Sequence, residues 1–235
     1  MAVVPYLAMT AAEIQNSPDL PSKIAWMACH FSAYGKALSN LPQTLPPGSV
    51  LMVDDSTPIY GHDPALIAEQ LCTLTENLEC SGVLLDFQRP GNPEAAVLAQ
   101  HLSAALPCPI AISEQYAKDM PAPVFLSPAA PSMFLKDHLS PWVGRDIWLD
   151  ISPSPELLCL TPTGCDCTLL SPGAQIPETG LSDKSLHCHY HIRTSPGLAE
   201  FTLWRTKEDL EDLSREAETM GVVGLVGLYQ ELTQW

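Results

Sequence analysis

The segment from Ser81 to Gln88 places a carboxylate and a carboxamide at the end of an apolar run. Asp86 and Gln88 are two residues apart, so on an extended strand their side chains share a face with Leu84. An ionised carboxylate among apolar groups is costly unless it is paired or hydrogen-bonded. The spacing therefore predicts that Asp86 has a partner at the end of this strand, either a ligand or the loop that follows.

Other acidic residues end or follow further apolar runs. These acids, taken together with Asp86, are Asp54, Asp55, Glu114, Asp150 and Glu231. If the runs are parallel strands of a barrel, their carboxyl ends meet at one mouth and the acids cluster there. Two such groups with separated pKa values could act as acid and base in a hydrolysis. For any one of them, the alternative is that strand ends simply favour polar, loop-forming side chains.

Seven apolar runs have the length of a strand and follow proline, glycine or polar breakers. They cover residues 3–8, 24–30, 50–54, 83–87, 110–113, 124–126 and 147–151. Nearly continuous apolar runs are typical of parallel strands that are covered on both sides. We therefore expect helices to pack outside these strands.

Capping patterns predict helices after several of the runs. Asp63 and Asn92 are each an N-cap residue followed by a proline at the first helical position. Thr206 begins a capping box, and Gly221 is a natural stop for the same helix. The segment 222–232 is interpreted as a last strand, because its glycines disfavour a helix.

Eight strands that alternate with helices favour a (β/α)8 TIM-type barrel. Its helices must be short, because the chain has only 235 residues. A doubly wound open α/β sheet is the alternative. The alternation is interrupted at about 152–205, where turns at Thr163-Gly164 and at 195–197 predict an antiparallel β insertion, although residues 201–205 could be a barrel strand. We predict one domain over residues 1–235.

Composition narrows the possible partners. The chain has 27 acidic and 11 basic residues, a formal net charge of −16, and no basic cluster, so nucleic acid is not an expected partner. No apolar run reaches the roughly 20 residues of a membrane span, so a membrane partner is not expected either. The first 23 residues lack the pattern of a signal peptide, and we predict a cytoplasmic location.

Cysteine and histidine do not predict a metal site. The eight cysteines are scattered, as expected of reduced, buried thiols in a cytosolic protein. Cys165 and Cys167 are too close in sequence for a zinc knuckle. His187, His189 and His191 would share one strand face but span about 13 Å, too far for a single ion. We predict no metal and no cofactor, and interpret the histidines as the polar outer face of a hairpin.

Two segments resemble a known family. Residues 81–88 are similar to a degenerate form of the DGxDxDxE strand of glycoside hydrolase family 18, the chitinase-like (β/α)8 barrels, and Gly82 and Asp86 match it. By strand order this is the fourth strand, where that family carries the motif. Residues 220–232 resemble the family's final helix-to-strand passage. In that comparison Tyr229 corresponds to the aromatic residue at the floor of the sugar subsite.

The departures from the motif concern the reaction. Ser81 and Leu84 replace the first two aspartates, and Gln88 replaces the catalytic glutamate. In that family the glutamate protonates the leaving oxygen, and the aspartate two residues before it orients the substrate's nucleophilic acetamido group. A carboxamide has no titratable proton and cannot act as a general acid, although it can hydrogen-bond a sugar. The resemblance thus implies a saccharide-binding barrel that lacks the family's mechanism.

Three functions remain open from the sequence. The first is binding of a saccharide or another small neutral ligand, the second is glycoside hydrolysis by a different carboxylate pair, and the third is protein interaction through the insertion at 152–205. Candidate catalytic residues are Asp86, Glu114 and Asp54, with Glu231 as a further member of an alternative pair. Candidate ligand-binding residues are Gln88, Tyr229, Glu231 and Asp150.

Overall fold

The computed structural model describes residues 5–171 and 173–233. In chain order its elements are β1 (Tyr6–Met9), α1 (Ala11–Asn16), β2 (Ile24–Phe31), β3 (Leu38–Ser39), β4 (Val50–Asp54), α2 (Pro64–Asn77), β5 (Gly82–Asp86), α3 (Pro93–Ala105), β6 (Ile110–Ser113), α4 (Glu114–Ala117), β7 (Val124–Leu126), α5 (Leu135–Leu139), β8 (Ile147–Asp150), β9 (Glu156–Thr161), β10 (Gly164–Leu169), β11 (Leu181–Asp183), β12 (Cys188–Ser195), β13 (Leu198–Trp204), α6 (Lys207–Thr219), β14 (Val222–Leu228) and α7 (Tyr229–Leu232).

Eight parallel strands close into a barrel in the order β1, β2, β4, β5, β6, β7, β8 and β14. Closure is direct, because β1 pairs with β2 on one side and with β14 on the other. An open doubly wound sheet would leave two edges, so the TIM-type prediction is confirmed and the alternative is wrong. Between β2 and β4 the chain forms the short antiparallel strand β3 where an ideal barrel has a helix.

Inward and outward side chains form two separate apolar clusters. Val83, Leu85 and Phe87 pack outside, against the helices, as strand alternation predicts. The inner cluster is made of small and large residues from all eight strands: Ala8, Ala25, Val50, Met52, Leu84, Ala111, Phe125, Trp148 and Val226. The Trp148 indole packs directly on Gly224, and a side chain at that position would displace it, since a Cβ there would lie 2.4 Å from the ring.

The predicted helix caps are present. The side chains of Asp63 and Asn92 accept backbone N–H groups at the starts of α2 and α3. Thr206 forms the capping box of α6, and Gly221 follows that helix with a φ of 89°. Among the described residues, no helix is long and apolar enough to cross a membrane.

Some predicted boundaries are wrong. β5 ends at Asp86, so Gln88 belongs to the following loop and not to the strand. β14 ends at Leu228, where its register with β1 ends, and residues 229–232 form the helical turn α7. The first strand begins at Tyr6, while positions 3 and 4 of the predicted strand lie outside the described residues.

The segment between β8 and α6 forms the expected antiparallel insertion, with five strands in the order β10, β9, β13, β12 and β11. β13 pairs with β12 and β9, so the alternative that residues 201–205 form a barrel strand is wrong. The turn between β9 and β10 lies at residues 162–163, one residue earlier than predicted. The second turn, between β12 and β13, lies where it was predicted.

Side chains of the insertion contact α6. His187 Nε2 lies 2.5 Å from Glu216 Oε2, and His189 Nδ1 lies 2.9 Å from Asp209 Oδ2. The interpretation of these two histidines as a polar outer face is therefore wrong. They pair with carboxylates on the last long helix and connect the insertion to the barrel.

Candidate active site at the barrel mouth

Polar residues follow the inner apolar cluster at the carboxyl ends of the strands. On six strands, the position two residues beyond a member of that cluster is polar: Thr10, Asp54, Asp86, Ser113, Ser127 and Asp150. Because strand side chains alternate, these are the next inward positions. The barrel therefore changes from apolar to polar at its mouth, the end at which active sites of this fold form.

A histidine and two aspartates lie on three neighbouring strands. The register pairs His30 with Asp54 and Asp54 with Asp86. His30 Nδ1 is 2.7 Å from Asp54 Oδ2, and both side chains are partly exposed. His30 was not among the predicted site residues. It nevertheless carries the signal that identified the acids, since it is a polar residue at the end of a predicted strand.

The Asp55 side chain is turned away from His30, Asp54 and Asp86 and hydrogen-bonds the loop after β5. That side chain is 2% exposed and accepts the backbone N–H groups of Gln88 and Arg89 at 2.8 and 2.9 Å. A buried carboxylate that accepts two backbone N–H groups has the hydrogen-bond partners that its burial requires. Asp55 thus acts as a structural link between the loops after β4 and β5, and it fixes the backbone that carries Gln88.

The loop after β5, held by Asp55, places the Gln88 side chain next to Asp86. The Gln88 side-chain amide donates a hydrogen bond to Asp86 Oδ1. Burial raises the pKa of Asp86, the Gln88 hydrogen bond opposes that rise, and the Asp54 and Asp55 carboxylates add to it. Asp86 consequently has the partner that its sequence position requires, but this partner cannot exchange a proton.

Asp150 and Glu231 extend the acidic group to the far side of the mouth. Burial raises the pKa of Asp150 well above that of an ordinary aspartate, and the charges of Asp86 and Glu231 raise it further. The Ser152 hydroxyl donates to Glu231 Oε2 at 2.8 Å. Asp150 therefore retains its proton to a higher pH than an ordinary aspartate, as a general acid or a hydrogen-bond donor must.

We expect Asp150→Asn to stabilise the protein at pH 7 and to have little effect at pH 4. The pKa of Asp150 is higher in the folded than in the unfolded chain, so its stabilising contribution is present at low pH and is lost as pH rises through the folded value. The amide has no charge to bury. The melting temperature should rise by at least about 2 °C at pH 7, the shift produced by about 1 kcal/mol in a chain of this size.

Thermal unfolding of both proteins across this pH range measures the effect. Asp146→Asn is the matched control, because Asp146 is exposed and precedes β8 at the opposite end of the barrel. An equal gain at pH 4 and pH 7 would contradict the assignment of the effect to a buried charge.

Two predicted residues do not lie where the sequence placed them. Glu114 is the first residue of α4 and does not end the strand, and its carboxylate accepts a 2.6 Å hydrogen bond from the Ser127 hydroxyl. Tyr229 begins α7 and is not on the last strand. Asp54, Asp86, Asp150 and Glu231 thus form the interacting acidic group, while Glu114 is engaged with the adjacent loop.

Two open cavities adjoin the loops around the mouth. One of about 490 Å³ lies between the loops after β2 and β4 and is lined by Tyr34, Lys36 and Tyr60. Tyr34 is fully exposed and Tyr60 is 82% exposed. The other, of about 590 Å³, lies between the insertion and α7 and includes Trp204 and Glu231. Neither Tyr34 nor Tyr60 was predicted from the sequence as a site residue. The signal that could have identified them is that each precedes a glycine in a loop after a predicted strand.

Comparison with solved structures establishes the type of barrel. The spore cortex-lytic enzyme SleL of Bacillus cereus is 11% identical, with a TM-score of 0.58 over 96% of this chain and 70% of that one. A chitinase from Chromobacterium violaceum is 13% identical, with a TM-score of 0.53 over 95% and 93%. The chitinase-like agglutinin RobpsCRA of Robinia pseudoacacia is 10% identical, with a TM-score of 0.60 over 97% of both chains. The chain shares the fold of these chitinase-like barrels.

No family model matches the sequence, and no curated protein does. In the barrel, β5 is the fourth strand counted around the sheet, the position expected from the motif resemblance. Asp86 ends that strand and Gln88 follows it. The fold and the strand position therefore agree with the resemblance, and the side chain at position 88 is a carboxamide.

Proposed function

We propose that this protein binds a saccharide at the barrel mouth and lacks the acid by which chitinase-like enzymes cleave one. The observation that carries the proposal is the contact between Gln88 and Asp86. The Gln88 carboxamide donates to Asp86 at the end of the fourth barrel strand, so the group next to the aspartate can hydrogen-bond a ligand but cannot protonate it.

The polar groups of the mouth suit a neutral, hydroxyl-rich ligand. Asp86 and Asp150 both have raised pKa values because they are buried, so each holds its proton more readily than a free aspartate. A protonated carboxyl can both donate and accept a hydrogen bond. Together with the Gln88 amide and the His30 ring, they offer donors and acceptors to sugar hydroxyls.

The cavity beside Tyr34 and Tyr60 supports the same proposal. Ligand sites combine apolar or aromatic faces with a few placed polar groups. The two exposed rings supply such faces, and the His30–Asp54 pair lies on the strands that lead into the same loops. A sugar chain that extends from Asp86 over β4 and β2 would meet these rings.

The range of proteins with this fold is compatible with binding without cleavage. One of the similar structures is named as a chitinase-like agglutinin, whereas others are named as chitinases. Because function resides in the site and not in the barrel, the residues at the mouth must decide between the two.

We expect Asp86→Ala to weaken saccharide binding by about 10-fold, the loss that corresponds to roughly 1.4 kcal/mol, near the upper value of a neutral hydrogen bond. A glycan screen that includes N-acetylglucosamine oligomers identifies the ligand, and calorimetry on the best one measures the change. Asp146→Ala, which removes an exposed aspartate at the other end of the barrel, should bind as the wild type does. If the wild type binds no glycan, the saccharide proposal is wrong.

Asp150 supports a second candidate, hydrolysis by another carboxylate pair. Its raised pKa is the property of a general acid, and Asp86 and Glu231 are the acids that interact with it. Hydrolysis of N-acetylglucosamine oligomers by the wild type, with activity lost in Asp150→Asn, would favour this candidate over binding alone.

A further inference from the structure

The outer strand of the insertion carries two thiols side by side. Cys165 and Cys167 lie on β10, the edge of the five-stranded sheet, and both are exposed, contrary to the expectation of buried cysteines. Two residues apart, they project from the same face, and their Sγ atoms are 4.0 Å apart. We propose that Cys165 and Cys167 form a two-thiolate site for a soft monovalent cation, of which Cu(I) is the representative.

The sulfur spacing suits a single bridging ion. With metal–sulfur bonds of about 2.3 Å, two sulfur ligands are about 3.8 Å apart at a tetrahedral ion and about 4.6 Å apart when they face each other across it. The observed 4.0 Å lies between these limits. An ion can therefore enter between the two sulfurs with a small rotation of the side chains.

The number of ligands selects the kind of ion. Structural zinc takes four ligands, and the described residues contain no group of three or more His, Cys, Asp or Glu that could hold a metal. Thiolates prefer soft ions, and Cu(I) is the first-row ion that accepts a low coordination number with sulfur. A pair of thiols matches that ion, since the Glu156 carboxylate that is hydrogen-bonded to Cys167 is a hard oxygen ligand of the kind that Cu(I) does not favour.

A disulfide is a poorer use of the same pair. Two residues of extended strand place the Cα atoms about 6.7 Å apart, at the far end of the range that disulfides span. Bridging by an ion requires no shortening of the strand, because the ion spans the gap between the sulfurs, and each thiol releases its proton to solvent as the ion binds.

The neighbouring strand β9 places two leucines opposite the exposed pair, with the Glu156 carboxylate next to Cys167. Cys165 is in register with Leu160, and Cys167 with Leu158, while Asp166 lies opposite Cys159 on the other face. Leucine side chains limit water on that side without competing for the ion. This environment separates the proposed site from Cys159, which is half-buried on the opposite face.

The test is a competition titration of the reduced full-length protein with Cu(I) and a chromophoric Cu(I) chelator, without oxygen. The wild type should take one equivalent. Cys165→Ser and Cys167→Ser should each weaken binding by at least about 100-fold, because loss of a direct ligand should exceed the ~10- to 100-fold cost typical of an outer-shell partner.

Cys159→Ser is the matched control and should bind as the wild type does, with circular dichroism confirming that all variants are folded. X-ray absorption of the loaded protein should show two sulfur neighbours. Failure of the wild type to compete with the chelator, or one-equivalent binding that persists in Cys165→Ser or Cys167→Ser, would overturn the proposal. Because this site lies on the insertion and the acids lie at the barrel mouth, either outcome leaves the saccharide proposal unaffected.

Discussion

Gln88→Glu should give the protein hydrolytic activity towards N-acetylglucosamine oligomers. The substitution restores a titratable group beside Asp86 on a loop that Asp55 already holds in place. Two adjacent carboxyl groups share a proton, so the pair would hold that proton to a higher pH than either group alone. Proton transfer by a positioned group typically contributes about 10²- to 10⁴-fold in rate, and a gain of that size over the wild type is expected. Release of reducing ends from the oligomer ligand measures it.

The control for this gain is Gln115→Glu. Gln115 is an exposed amide whose side chain donates to the Phe87 carbonyl, so its substitution adds the same charge close to the mouth without placing it next to Asp86. This variant should stay inactive. If Gln88→Glu binds the oligomer with wild-type affinity and still does not cleave it, then position 88 is not what separates this protein from an active enzyme.

Arg205→Ala should reduce the free energy of unfolding by about 3–5 kcal/mol, the cost of breaking a buried charged contact. The Arg205 side chain is 2% exposed and donates to three backbone carbonyls, those of Ala129, Ala130 and His187. Truncation leaves these acceptors without their donors in a buried region. Since Ala129 and Ala130 follow β7, the contact that is lost is one of those that connect the insertion to the barrel.

Denaturant unfolding of the variant and the wild type measures this change. Arg193→Ala is the control, because Arg193 is exposed on β12 of the same insertion, and its effect should stay within about 0.5 kcal/mol. If Arg205→Ala accumulates too poorly for measurement, Arg205→Lys keeps the charge while losing the planar set of donors, and it should still be less stable than the wild type. Equal stability of the wild type and the Arg205 variant would show that the insertion is held by other contacts.

Local signals in the sequence were sufficient for most of the barrel. Apolar runs bounded by breakers identify parallel strands because both faces of each strand are covered. N-caps such as Asp63 and Asn92 are contained within a few residues, so they need no knowledge of the rest of the chain. The acids of the mouth were found for a similar reason, since the end of a strand fixes the end of the barrel at which its last side chain lies.

What sequence reasoning missed depends on contacts between distant segments. Asp55 looked like a second acid of the site, but its partners are amides 33 and 34 residues further along the chain. The end of the last strand is set by its pairing with β1, more than 200 positions earlier. The histidines of the insertion looked like a solvent face because their partners lie on a helix that begins only at residue 207.

The position of the Trp148 ring against Gly224 has a consequence for how this protein could change its ligand. The indole belongs to the inner apolar cluster beneath the acids, so the polar mouth and the packed interior are separate layers of the barrel. Under the proposed saccharide binding, the interior supports stability, and the loops after β2, β4, β5 and β8 carry selectivity. Exchange of those loops could alter which molecule is bound while the barrel beneath them stays the same.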